Sequence, residues 1–273
     1  MNDRQAFARL VGALSPWHPK LVFIGGWAHR LYRLHPNSQA QSHAPLATLD
    51  ADVAFAEGEK LEGSMNHSLR DAGFIEQLTG NHHPPISQYA LGEDDANGFY
   101  AEFLTPLSGS GLRRDKTPYL TVENAGVTAQ RLRYLEILLL SPWQVTLDEA
   151  WLDARGCQLQ IPNPVSFIVQ KLLIHDRRPD DKKPQDILYI HDALQLFNHE
   201  LDLLKNIWEA SLLPAIHSNQ VDAIVASSTQ CFGHMSDRLR DAAAIPQDRD
   251  LDPERMRQTC HLMLGEILGI RVS

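Results

Sequence analysis

Cysteine is scarce. Cys157, Cys231 and Cys260 stand far apart in a chain of 273 residues, and none belongs to a Cys-x-x-Cys pair. That spacing excludes a disulfide framework and a thiolate zinc site, and the three thiols are expected to be buried or inert. The 13 histidines show no metal spacing either: neither His35 nor His82-His83 falls in a His-x-x-x-His or mixed Cys/His pattern, so no zinc is assigned. Long apolar runs are also missing. The longest, around Leu135 to Leu140, is far short of the roughly 20 residues a membrane helix requires. The opening MNDRQAFARLVGALS lacks the basic-then-apolar order of a secretory leader. A cytoplasmic location with no membrane partner is therefore expected. Positive charge is in deficit: the formal net charge is -9, which argues against general charge-driven binding to nucleic acid.

What the chain does have is 43% hydrophobic residues, enough for a sizeable core, and one segment in which carboxylates interrupt an apolar strand. In Thr48-Leu-Asp-Ala-Asp-Val-Ala-Phe55, Asp50 and Asp52 are two residues apart, so in a β-strand both project to one face a few ångströms from each other. Like charges that close repel unless a hard divalent cation lies between them. The same alternation also suits an edge strand with one solvated face. Upstream, LVFIGGWAHRLYRLHP reads as a buried strand Leu21 to Ile24, a Gly25-Gly26 turn, and a helix from near Trp27 to about Leu34. A glycine turn opening a helix would let backbone N–H groups approach phosphates, and together with the carboxylates it suggests a nucleotide site. Glu102, in GFYAEFLTPL, is a charged residue in a strongly apolar strand and is the candidate third metal carboxylate. LSGSG at Leu107 to Gly111 lacks the Lys-Ser/Thr of a phosphate loop and is set aside.

Residues 1 to 16 read as an N-terminal helix carrying Phe7, Leu10, Val11 and Leu14 on one face. The polar stretch from His35 to Thr48 is a candidate mobile flap. MNHSLRDAGF reads as a helix ending at Gly73, and QYALG, FYAEFLTPL and LRYLEILLLSPW as strands. After IPNP the pattern turns helical: an amphipathic helix with Phe167, Ile168, Leu172 and Leu173, then PQDILYIHDALQLFNHE, LDLLKNIWEASLLPAIHS, VDAIVASSTQCFGHMSDRLRDAA and DPERMRQTCHLMLGEILGI. The expected fold class is α+β, with an α/β domain over residues 1–160 and a helical domain over 161–273. Basic residues cluster at Arg113, Arg114 and Lys116, at Arg131 and Arg133, and at Arg177, Arg178, Lys182 and Lys183. The first two clusters read as solvated loops. Trp143, Trp151 and Trp208 read as core residues.

The order of Gly25-Gly26, Thr48-x-Asp50-x-Asp52, the acidic strand with Glu102, the Pro-opened helix IPNPVSFIVQKLL and the segment RRPDDKKPQDI resembles the nucleotidyltransferases of the polymerase-β superfamily. Within it, the chain is most similar to a prokaryotic group of NTP-transferase-like proteins related to AbiEii and MenT toxins. The resemblance covers roughly residues 20 to 200. It implies a mixed nucleotidyltransferase-fold sheet with flanking helices, and a helical domain that contributes to the site. The implied activity is transfer of NMP from an NTP to an acceptor, RNA (tRNA) or protein, by a toxin-like protein with an antitoxin as partner. A small-molecule transferase of the antibiotic-modifying kind, or a non-catalytic nucleotide sensor, would share the fold. Asp50, Asp52 and Glu102 would hold Mg²⁺ or Mn²⁺. Gly25, Gly26, Thr48, Lys171, Arg177 and Lys182 would contact the nucleotide. Asp186 would support the site by pairing with Lys171 or a neighbouring cation.

Overall fold

The first helix, α1 (Asp3–Ala13), is started by a reciprocal cap: the Asn2 side chain accepts from the Gln5 amide at 2.8 Å, and the Gln5 side chain accepts from the Asn2 amide at 3.1 Å. Its apolar face buries Phe7, Leu10 and Val11, and the Phe7 ring stacks on Trp27 at 4.0 Å. The computed structural model describes residues 2–81, 83–92, 98–112, 116 and 118–270, with the side chains of Leu152 and Asp153 left out. Arg113 and Arg114 of the first basic cluster, and His82, lie outside the described residues.

Two units divide the chain: Met1–His35 with Ala47–Pro162, and Pro36–Leu46 with Asn163–Ser273. Among the described residues of the first unit, nine strands form one mixed sheet. They are β1 (Val22–Ile24), β2 (Asp50–Ala54), β3 (Phe74–Thr79), β4 (Ile86–Leu91), β5 (Tyr100–Pro106), β6 (Thr121–Asn124), β7 (Val127–Leu132), β8 (Trp143–Thr146) and β9 (Gln158–Ile161). The main path runs β3-β4-β5-β2-β1-β9-β8, with β7 paired to β5 and to β6. Helices α2 (Gly25–Leu31), α3 (Met65–Asp71) and α4 (Leu135–Leu138) complete this unit. Mixed pairing with flanking helices is the expected α+β class.

β2 is an interior strand. It pairs antiparallel with β1 and parallel with β5, which removes the edge-strand reading of its aspartates. One face of the pair is sealed: Ala51, Val53, Ala101 and Phe103 are at most 1% exposed. The other face is split along its length. At one end Ala54 and Leu104 pack with Val22 and Ile24 under Leu135 and Leu138. At the other end stand Asp50, Asp52, Tyr100 and Glu102. This cover explains a departure from expectation, since LRYLEILLLSPW is not one strand. Tyr134 adopts φ 62, the chain turns, and Leu135–Leu138 forms the short helix whose apolar side closes that end. β3 and β6 were not anticipated, because FIEQLT and TVEN carry no clean alternation. The helix from Met65 does end as expected, with Gly73 at φ 85 just beyond it.

In the second unit, α5 (Pro164–Ile174) begins where Asn163 accepts from the Ser166 amide at 2.8 Å, with Pro164 in the first turn. It is followed by α6 (Lys183–Leu196), α7 (Leu201–Ile207), α8 (Ser218–Phe232), α9 (Asp237–Ala244) and α10 (Pro253–Leu268). The stretch expected as one helix from Val221 breaks after Phe232, because Ser236 caps a new start by accepting from the Leu239 amide at 3.3 Å. Residues 36–46 join this unit rather than flanking the first. The Gln39 amide donates to the Leu196 carbonyl at 2.7 Å, the Ala44 amide donates to Asp248 Oδ2 at 2.8 Å, and His43 meets Arg249. The stretch read as a mobile flap is thus tied to α6 and to the chain before α10. Cys231 and Cys260 are buried, and Cys157 is half-buried. Trp151 and Trp208 are core residues, whereas Trp143 is half-buried and stacks on His35 at 4.0 Å.

Candidate active site

The parallel register of β2 on β5 puts Asp50 opposite Tyr100 and Asp52 opposite Glu102, so three carboxylates and a phenol share one open face. On the far side of β5, Gln88 of β4 stands opposite Glu102, and Asp52 has Ile24 of β1 as its other neighbour, one residue before the glycine pair. A polar row therefore crosses three strands and ends against the start of α2.

Electrostatics confirm the crowding. Burial, and after it the Asp50 charge, raises the Glu102 carboxyl above the ordinary glutamate range, with the Gln88 hydrogen bond opposing them. Tyr100 is pushed up to about 12 by burial and then by Asp50, Glu102 and Asp52, so its hydroxyl keeps its proton at neutral pH. The carboxylates are held by neutral donors: Thr48 Oγ1 donates to Asp50 Oδ1, and Gln88 Nε2 donates to Glu102 Oε1 at 3.1 Å. Among the described residues, neither Asp50 nor Glu102 is paired with a cation.

The glycines belong to the same construction. Gly25 sits at φ 64 in the first turn of α2, and a Cβ there would collide with Asp52 Oδ2. A Cβ on Gly26 would stand 2.9 Å from the Thr48 side chain. Backbone here approaches the carboxylate strand too closely for any other residue. The helix begins at Gly25, two residues before the expected Trp27.

These donors suit a hard divalent cation: oxygen ligands only, three carboxylates in register, no competing cation at Asp50 or Glu102, and room kept by two glycines. Among the described residues, no group of three or more His, Cys, Asp and Glu side chains is placed so as to hold a metal ion as it stands.

Lys171 and Asp186 come together in the second unit. Lys171 Nζ lies 2.5 Å from Asp186 Oδ1, and Arg178 Nε lies 2.8 Å from Asp186 Oδ2. Asp186 is 1% exposed; burial works to raise its carboxyl, but Lys171 and Arg178 prevail and hold it below the usual range. The Lys171 ammonium also lies over the Tyr189 and Phe167 rings, at 4.7 and 4.9 Å. It is buried rather than snorkelling to solvent. The basic cluster around it is partly neutralised: Lys183 is bound to Asp180 at 2.9 Å, while Arg177 and Lys182 are exposed. Arg131, read as part of a solvated loop, is buried and bound to Glu57 at 2.5 Å. Gln88 and Tyr100 escaped the sequence reading. A neutral amide on a strand has no signature until the register is known, and the only hint for Tyr100 was its i,i−2 relation to Glu102.

Residues 2–212 match the model of a family described as Nucleotidyltransferase. No curated protein matches the chain. Among solved structures, the chain is similar to an antigenic nucleotidyltransferase-like protein from Paracoccidioides brasiliensis, with 14% identity, 85% of this chain and 97% of that chain covered, and a TM-score of 0.42.

Two outcomes follow. A carboxyl raised in the folded chain favours folding below the unfolded value, near 4.5, and that contribution is lost as pH rises through the folded value. Glu102→Gln should therefore raise the melting temperature of the metal-free protein at pH 8 and leave it nearly unchanged at pH 4. An equal effect at both pH values would show that the charge of Glu102 is not under strain. Asp186→Ala leaves Lys171 buried without its carboxylate and should cost about 3–5 kcal/mol in urea unfolding; a cost below about 1 kcal/mol would mean that the pair does not organise this unit.

Proposed function

The chain belongs to the nucleotidyltransferase family, and on that premise we propose that it transfers NMP from an NTP to an acceptor hydroxyl, using Mg²⁺ or Mn²⁺ held by Asp50, Asp52 and Glu102. The observation that carries this reading is the register that aligns these three side chains on one open face beside Gly25 and Gly26. Such a cation would supply positive charge to the triphosphate and acidify the attacking hydroxyl. In the transfer, the acceptor oxygen forms a bond to the α-phosphorus, the bond from that phosphorus to the β-phosphate bridging oxygen breaks, and pyrophosphate leaves. The acceptor's proton is released to solvent.

The chain's own residues have separable tasks. Thr48 holds Asp50 by donating to its Oδ1. The two glycines keep side chains out of the space where α2 begins, leaving its first amides for phosphate oxygens. Tyr100 retains its proton and offers a donor beside the carboxylates. The roles of Lys171, Arg177 and Lys182 toward the triphosphate rest on the family resemblance, with Asp186 fixing Lys171.

The acceptor is proposed as a macromolecule, RNA or protein, and the role as toxin-like, with an antitoxin partner and a cytoplasmic setting. The resemblance of Gly25-Gly26, Thr48-x-Asp50-x-Asp52 and the downstream Lys171 and Asp186 segments to the AbiEii and MenT group supports this reading. Within it, a protein acceptor is favoured over RNA, because Arg131, Arg178 and Lys183 are each engaged by a carboxylate and the net charge is -9. Among the described residues, no helix is long and apolar enough to cross a membrane.

Incubation of the purified chain with Mg²⁺ and each α-labelled NTP, with and without total RNA or a cell protein extract, should deposit label on an acceptor. Asp52→Asn should lower that transfer by about 10²–10³-fold, the range for losing one group that stabilises charge in the transition state, while its far-UV spectrum stays that of the wild type. Wild-type activity in Asp52→Asn would remove the metal assignment. Absence of transfer with every nucleotide and acceptor would remove the enzymatic reading.

A further inference from the structure

Glu102 has two oxygens and a neighbour for one of them. Gln88 lies opposite it across the antiparallel β4–β5 pair, and the Gln88 amide donates to Oε1 at 3.1 Å from a half-buried position. On the other side of the carboxylate face, Thr48 does the same for Asp50 by donating to Oδ1. Two unrelated side chains on different elements thus perform one operation. Each ties a single oxygen of a flanking carboxylate with a neutral donor and leaves the charge of that carboxylate uncompensated.

The choice of donor matters. A lysine or arginine at position 88 would reach the same oxygen but would cancel the charge that draws a cation. An apolar residue there would leave Glu102 free to rotate away from Asp52, as repulsion from Asp50 favours. An amide orients without neutralising. It also cannot itself bind the cation strongly while its N–H₂ end points at Glu102, so it stays outside the ligand set.

We propose that Gln88 is a positioning residue for cation binding: it holds Glu102 through Oε1 so that Oε2 completes the Asp50–Asp52 face, and thereby sets the cation affinity of the site. The inference rests on the reading that these three carboxylates hold the cation, and it extends that reading to a residue on a neighbouring strand.

The test uses the full chain and Mn²⁺ alone, with binding followed by the loss of the free-ion electron paramagnetic resonance signal. Gln88→Leu removes the donor at similar volume and should weaken Mn²⁺ binding about 10- to 100-fold, the range for loss of an outer-shell partner. Saturating Mn²⁺ should restore full occupancy, which damage to the fold would not permit. Gln88→Lys should weaken binding further, because its ammonium neutralises Glu102, whereas Thr48→Val should reproduce the Gln88→Leu loss at Asp50. Urea midpoints of the metal-free Gln88 variants should stay near that of the wild type.

The outcomes separate. If wild type binds Mn²⁺ and Gln88→Leu binds it equally well with an unchanged midpoint, the positioning role is overturned and the metal site stands. Should wild type and Asp52→Asn both fail to bind Mn²⁺, the underlying metal reading falls and the role of Gln88 falls with it. If Gln88→Leu unfolds on its own, Gln88→Met decides, since it keeps the length and volume of the side chain but carries neither a donor nor a charge. Undiminished Mn²⁺ affinity in that variant would also overturn the proposal.

Discussion

Repulsion among three carboxylates fixed on adjacent interior strands is the constraint around which the first unit is built. Strand pairing sets Asp52 against Glu102 and Asp50 one step along, and backbone register cannot relax to separate them. At Asp50 and Glu102, among the described residues, the chain answers with the neutral hydrogen-bond donors Thr48 and Gln88. Glu102 and Tyr100 both hold their protons more tightly than usual, first because they are buried and then because of the carboxylate charges beside them. A divalent cation between these carboxylates would relieve the repulsion.

Much of the remaining structure serves to keep that face open at one end and closed at the other. Leu135 and Leu138 seal the far end of the same strands over Ala54 and Leu104, while Ala51, Val53, Ala101 and Phe103 bury the reverse side. The sheet is thereby anchored on three sides, and its charged corner needs no packing of its own. The glycine pair permits the last approach, because β2 and the first turn of α2 come within a distance that any Cβ would obstruct. The second unit makes a different use of charge. One of its buried carboxylates, Asp186, is compensated by Lys171 and Arg178, so the pair secures geometry instead of creating demand for an ion.

Several of these features were legible in the residues. The Asp-x-Asp spacing forces a shared face in any strand, and Glu102 stood out against apolar neighbours, so both needed only the alternation of a strand to be found. The helical half was visible in its caps and periodicity. Other features depend on register or on distant contacts and leave no local trace. Gln88 is an ordinary strand amide until β4 is laid against β5. Residues 36–46 read as a loose polar loop because their anchors, Leu196, Asp248 and Arg249, all lie far along the chain, the last two more than two hundred positions away. The α4 segment looked like a strand because LEILLL is apolar apart from Glu136; its helical turn is imposed by Tyr134 and by the strands it covers.

The central claim is that the carboxylate face is a cation site for nucleotide chemistry. Its most direct test is a crystal structure of the full chain soaked with Mn²⁺ and an NTP analogue that cannot be cleaved between the α- and β-phosphates, with anomalous scattering recorded. The account predicts an anomalous peak about 2 Å from oxygens of Asp50 and Asp52 and shared with the triphosphate. Nucleotide bound elsewhere, or a manganese peak away from this face, would contradict it.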